Sequence, residues 1–195
     1  MKAIETVYNG YRFRSRLEAR WAVFFDAIKL EYQYEPQGFM TGDKEDVFYL
    51  PDFYFPSLNV YAEIKPNREL DDRKAKIFAY NISYEDNIGG VLVCYGLPSD
   101  HDIRFMTTWE TDIDGGGWFD SDYSNIDIRF DTQLYGRGVC LFVDWQKEEL
   151  AFLNTNNIIV PYDRIHTVGT ILGNPFVKAE MKAKQARFEH GEKPI

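Results

Sequence analysis

The chain is short of cysteine, histidine, long apolar runs and net positive charge, and each shortage removes a class of function. It has two cysteines among 195 residues, Cys94 and Cys140. They form no CxxC pair, so a thiolate zinc site has no basis. Each lies in an apolar stretch and reads as a buried, reduced thiol, which fits a cytoplasmic location. The three histidines, His101, His166 and His190, are far apart and lack ligand spacing. They are expected to be structural or at the surface. The longest apolar runs, such as residues 91–95, fall far short of the roughly 20 residues of a membrane span, so no membrane partner is expected. Met1-Lys2-Ala3-Ile4-Glu5 has no apolar core of a secretory signal. The triple glycine 115–117 lacks the GxxxxGK[ST] phosphate cradle and reads as a loop.

Net charge is −9, which at first argues against a nucleic-acid partner. The acid is unevenly placed, however. Residues 1–40 carry +1, 41–100 carry −5, 101–150 carry −7 and 151–195 carry +2. A neutral or basic surface is therefore available at both ends.

The chain is 45% hydrophobic and 16% aromatic, a folding composition, with no internal repeat. Leu17, Trp21, Phe24, Phe25 and Ile28 make one apolar stripe and predict a helix over 15–28, capped by Ser15. Residues 31–35 and 47–55 read as strands. In Val60–Lys65, Val60, Ala62 and Ile64 alternate with Tyr61, Glu63 and Lys65, as in a strand. A second helix is expected over 68–82 and a buried strand over 91–95. Beyond residue 100, strand-like pieces at 103–107, 126–131 and 139–145 predict an acidic, aromatic, β-rich insertion or extension of the sheet. A basic helix should start at Asn174 and stop at Gly191. The expected fold class is α/β, a mixed sheet flanked by helices. Its divisions are a core over 1–100, the β-rich element over 101–165, and a basic helix and tail over 166–195.

Residues 49–65 carry the chemistry. A hairpin turning at 57–58 would pair position i with 115 − i and set Asp52 opposite Glu63. Opposed side chains have Cβ atoms roughly 4.5–5.5 Å apart. Two carboxylates so close repel unless a divalent cation lies between them, and Mg²⁺ or Mn²⁺ suits one or two carboxylates plus water and phosphate oxygens. Lys65 shares that face and could hold the attacking water or neutralise developing charge, tasks for which arginine is a poor substitute. These parts meet the needs of phosphodiester hydrolysis by in-line attack of an activated water.

Pro51-Asp52, ten residues, then Glu63-Ile64-Lys65 resembles the PD-(D/E)xK, or restriction-endonuclease-like, nuclease superfamily. The order helix, three strands, helix, strand is similar to that family's core, and Glu18 stands where many members carry a helix glutamate. Phe13–Ala22, Leu50–Phe53 and Ala186–Glu192 also resemble nuclease-like proteins of phages and mobile elements. The resemblance implies that Asp52, Glu63 and the Ile64 carbonyl ligate the metal, that Lys65 is the catalytic lysine, and that Glu18 binds a second metal or a bound water. On the helix after Lys65, Lys76 and Tyr80 are four apart; exonuclease-like members carry Gln where Lys76 stands. The structural rival for Glu18 is a capping box with Ser15. Arg14, Arg16, Arg20 and Lys76 are candidate phosphate contacts, against ordinary surface pairing. The expected function is a DNA nuclease of the cytoplasm, or of a host cytoplasm if phage-encoded. Two alternatives stand beside it: an inactive nuclease-fold module that binds nucleic acid or protein, and a dimeric junction resolvase.

Overall fold

Asn9-Gly10 takes positive φ at both positions (47° and 83°), the tight turn that suits a two-residue hairpin. It joins β1 (Thr6–Tyr8) to β2 (Tyr11–Phe13), with Tyr8 opposite Tyr11. The hairpin was not expected, although Asn-Gly between aromatic residues is a strong signal for one. This computed structural model describes residues 3–41, 47–85, 90–100, 102–109, 117–120, 128–131, 140–145, 149–153 and 175–188. The three histidines, Gly115, Gly116, Asn174 and Gly191 lie outside these residues, as does 154–165.

Helix α1 spans Arg16–Ala27, close to the expected 15–28. Ser15 is its N-cap, and its Oγ accepts the Glu18 N–H at 3.2 Å. At the other end, Leu30 N–H donates to the Phe25 carbonyl and Lys29 N–H to that of Asp26. This is a Schellman ending with Lys29 in the left-handed region (φ 61°), where glycine is usual. Ser15→Ala should cost about 1 kcal/mol of stability, read as a lowered urea midpoint with an unchanged slope. An unmoved midpoint would mean the cap contributes nothing.

The strands that follow are β3 (Gln33–Tyr34), β4 (Phe39–Thr41), β5 (Val47–Tyr49), β6 (Phe53–Phe55) and β7 (Val60–Lys65). The single strand expected over 47–55 is in fact two. Pro51 has no N–H and restricts Leu50, so the ladder breaks there. β5 pairs with β4 as a separate ribbon, while β6 enters the main sheet. β6 and β7 are antiparallel with Phe53↔Ala62, Tyr54↔Tyr61 and Phe55↔Val60, which is the 115 − i register. The connection is a four-residue turn, 56–59, with Asn59 at φ 54°.

Helix α2 spans Arg73–Glu85. It starts five residues later than expected, because the Asp71 carboxylate takes the Arg73 N–H and the Asp72 carbonyl takes the first helical N–H, from Lys76. It crosses over to β8 (Gly90–Tyr95), which lies parallel to β7. Strands β9 (Asp102–Trp109) and β10 (Gly117–Asp120) continue the same sheet, giving the order β10-β9-β8-β7-β6-β3. Strands β11 (Ile128–Asp131), β12 (Cys140–Trp145) and β13 (Glu149–Leu153) form their own antiparallel sheet. The fold is mixed α/β.

Period-two alternation splits the core between the two faces of the main sheet. Phe53, Phe55, Val60, Ala62, Ile64, Leu92 and Cys94 pack with Trp21 and Phe25 of α1. Helix α3 (Pro175–Gln185) is basic outside, with Lys178, Lys182 and Lys184 exposed. Its buried Ala179 and Ala183, with Ala186 just beyond, join this core. Tyr49, Tyr61, Phe78, Val91, Val93 and Met106 form the core beneath α2. Burial pushes the Cys94 thiol's pKa well up, so it stays an inert hydrophobe. Among the described residues, no helix is long and apolar enough to cross a membrane.

Candidate active site

Asp52 sits one residue before β6, and continuing the β6–β7 register by one position sets it opposite Glu63. It is 3% exposed. Its Oδ2 accepts the Ile64 backbone N–H at 2.7 Å, and its Oδ1 accepts from Arg14 Nη2 at 2.7 Å. On the other side, the Glu35 N–H donates to the Asp52 carbonyl at 2.9 Å, so the aspartate is tied to β7 through its carboxylate and to the residue after β3 through its backbone.

Glu63 and Lys65 face the α2 side of β7, half-buried. Lys65 Nζ is 3.2 Å from Glu63 Oε1. The Tyr49 hydroxyl reaches across from β5 and donates to Glu63 Oε2 at 3.0 Å. Burial, reinforced by Glu63 and Asp52, pushes the Tyr49 pKa well up, so it stays protonated and can only donate to that oxygen. The end of β7 is pinned from α1. Gly96 N–H donates to the Lys65 carbonyl at 2.8 Å, and Trp21 Nε1 donates to the Gly96 carbonyl at 2.9 Å. Gly96 has φ 69°, and a Cβ there would fall 2.3 Å from the Asp100 carboxylate. A side chain at this position would be strained and would push the Asp100 carboxylate aside.

Glu18 is buried at the start of α1. Its Oε1 accepts from Ser15 Oγ at 2.7 Å, and its Oε2 accepts from the Tyr34 hydroxyl at 2.6 Å and from the Arg14 N–H at 3.1 Å. This resembles the capping box expected as its rival role, moved back by one residue: the backbone donor is Arg14, not Ser15. Two donors fill the lone pairs of Oε2.

Arg14 was expected to meet phosphate. Its guanidinium instead turns inward, with Nη2 on Asp52 and Nε 2.5 Å from Glu35 Oε1. Glu35, which the sequence reading did not single out, holds a left-handed conformation (φ 45°), a strain of the kind found at functional positions. Its pKa is raised by burial, against the pull of Arg14 and with help from Glu18 and Glu63. Arg16 and Arg20 stay on α1, and Lys76 is exposed on α2. Those two helices cover opposite faces of the sheet, so these three do not make one phosphate-binding surface.

Four carboxylates, Glu18, Glu35, Asp52 and Glu63, therefore interact across the end of the sheet. Two cations, Arg14 and Lys65, answer them. The excess of two negative charges falls hardest on the most buried group. The Asp52 pKa is pushed well above the ordinary range by burial, then by Glu63 and Glu18, against the Ile64 N–H and Arg14. Among the described residues, no three His, Cys, Asp or Glu converge as a ready-made metal cage. Each carboxylate is turned toward its own donor. Mg²⁺ does not require three, because it binds through one or two carboxylates and keeps several waters. Asp52 and Glu63 each retain unused lone pairs and fit that donor set. No family model, no curated protein and no solved structure matches this chain.

Proposed function

We propose that this chain is a Mg²⁺- or Mn²⁺-dependent nuclease that hydrolyses phosphodiester bonds, in DNA. The observation that carries the reading is the buried Asp52 carboxylate opposite Glu63, in a group of four carboxylates that only Arg14 and Lys65 answer. Buried acid costs stability, and a site that gathers it beside a lysine suits a divalent cation on its way to a phosphate. The arrangement of α1, the β3–β6–β7 meander, α2 and parallel β8 supports a restriction-endonuclease-like core.

Asp52 and Glu63 are the ligands, and the Ile64 carbonyl, next to the N–H that holds Asp52, is the third protein ligand of the proposal. The bound cation supplies Lewis-acid polarisation of a phosphate oxygen and lowers the pKa of its water. Lys65 Nζ, held at Glu63, offers positive charge where the phosphate gains negative charge. Tyr49 orients Glu63. Glu18 is engaged by three donors, and its part is to fix the start of α1 and the field on Asp52. The test is to incubate wild type and Lys65→Ala with linear, circular, single-stranded and branched DNA, with and without Mn²⁺. Wild type should cut or nick only with metal, and Lys65→Ala should be silent. Metal-independent or Lys65-independent cutting would defeat the proposal.

The ion pair between Arg14 and Asp52 favours a second reading, a non-catalytic nucleic-acid- or protein-binding module in which arginine permanently replaces the metal. Such a protein would bind no Mn²⁺ and cut nothing.

Tyr49→Phe removes only the hydroxyl that orients Glu63. Groups that orient metal ligands are worth about 10–100-fold in affinity, so calorimetry should show Mn²⁺ binding weakened by about that factor. Unchanged affinity would mean Glu63 needs no such support.

A further inference from the structure

Resting on the nuclease reading, we infer that Arg14 is a resident counter-ion of the acidic cleft, one that a divalent cation must displace from Asp52 and that Glu35 then retains at the rim for the substrate phosphate. The argument begins with geometry. Arg14 precedes α1, so its guanidinium is not bound by the helix's side-chain directions. Its side chain is 53% exposed, while the carboxylate it holds is 4% exposed. A surface residue thus sends its charged end down to a buried oxygen. It uses two different nitrogens on two acids, Nη2 on Asp52 and Nε on Glu35.

The two acids are not equivalent. Asp52 Oδ2 takes the buried Ile64 N–H and Oδ1 takes Arg14, so a dication drawn to the remaining lone pairs of this carboxylate meets the positive charge of the guanidinium at contact distance. Glu35 is 23% exposed in its side chain and lies nearer the rim. Its Oε1 has no well-aligned hydrogen-bond donor, although Arg14 Nε is in ion-pair contact. Losing Asp52 therefore leaves Arg14 a partner that needs it. Nη2 would then be free beside the cleft, and a planar guanidinium is well matched to phosphate oxygens. The same side chain would balance the cleft without metal and meet the phosphate with it, which couples metal loading to substrate contact.

The experiment is a Mn²⁺ titration by calorimetry on chelator-stripped wild type and Arg14→Gln, without DNA. Arg14→Lys serves as a second variant that keeps the charge but loses the two-pronged reach. Because Arg14 is half-exposed, thermal melts should show all three folded. Arg14→Gln should bind Mn²⁺ at least about 10-fold tighter than wild type, the scale of one hydrogen bond between charged groups, with Arg14→Lys between them. Equal or weaker binding by Arg14→Gln overturns the inference and leaves the nuclease reading standing. Binding by neither wild type nor Arg14→Gln overturns the nuclease reading itself.

In a Lys65→Ala background that cannot cleave, anisotropy of a short labelled duplex reads the second half. Adding Mn²⁺ should tighten DNA binding when Arg14 is present, and the gain should shrink several-fold with Arg14→Gln. An equal gain in both would show that Arg14 never reaches the phosphate.

Discussion

Lys65→Ala should lower Mn²⁺-dependent cleavage by about 10³-fold while leaving Mn²⁺ binding nearly intact, whereas Asp52→Ala should abolish both. The two residues differ in what they touch. Lys65 Nζ contacts Glu63 Oε1, at 3.2 Å. Its loss removes a positive charge and proton-handling group from the reaction, worth about 10²–10⁴-fold, without removing a ligand. Asp52 is the buried carboxylate at the centre of the acidic group. Removing it takes away a ligand, and more than the 10–100-fold typical of an orienting neighbour should be lost in affinity. Calorimetry and single-turnover cleavage on the same preparations would separate the two effects. If Asp52→Ala still bound Mn²⁺ with wild-type affinity, the metal would lie elsewhere.

The second large effect is on stability, and its sign follows from Asp52. Its folded pKa lies well above that of an ordinary aspartate, through burial first and through Glu63 and Glu18 next. Between the unfolded value and that raised value, the folded chain holds a proton that the unfolded chain has released. Stability therefore falls as pH rises through this window, with a slope approaching ~1.4 kcal/mol per pH unit for one proton. Asp52→Asn resembles the protonated side chain and has no such proton to lose. The thermal midpoint of the variant should gain on that of metal-free wild type as pH rises, while its cleavage is lost. Added Mn²⁺ should restore wild type at high pH and leave the variant unmoved. Midpoints that run parallel from acid to neutral pH would show that Asp52 carries no such strain. The expected pattern is a trade of stability for a site.

The elements legible in the sequence were those whose pattern is local. The stripe Trp21, Phe24, Phe25 and the Ser15 cap set out α1 to within a residue at each end. The alternation in Val60–Lys65 matched β7, and the 115 − i register followed from the hairpin. Asn9-Gly10 announces the first hairpin, and Pro51 announces the break between β5 and β6. The late start of α2 depended on Asp71 and Asp72 taking backbone donors, which periodicity does not reveal.

By itself, the sequence determined which residues lie on which face of which strand, because side chains alternate along an extended chain whatever surrounds them. That placed Glu63 and Lys65 together and set Asp52 across from them. Only the tertiary structure decided which charges meet. Arg14 and Glu35 are twenty-one residues apart and belong to different elements, and Tyr49 comes from a ribbon outside the main sheet. Their convergence on Asp52 and Glu63 is set by how α1, β3 and β5 pack around one end of the sheet. Burial and electrostatics depend on distance through space, which spacing along the chain does not encode.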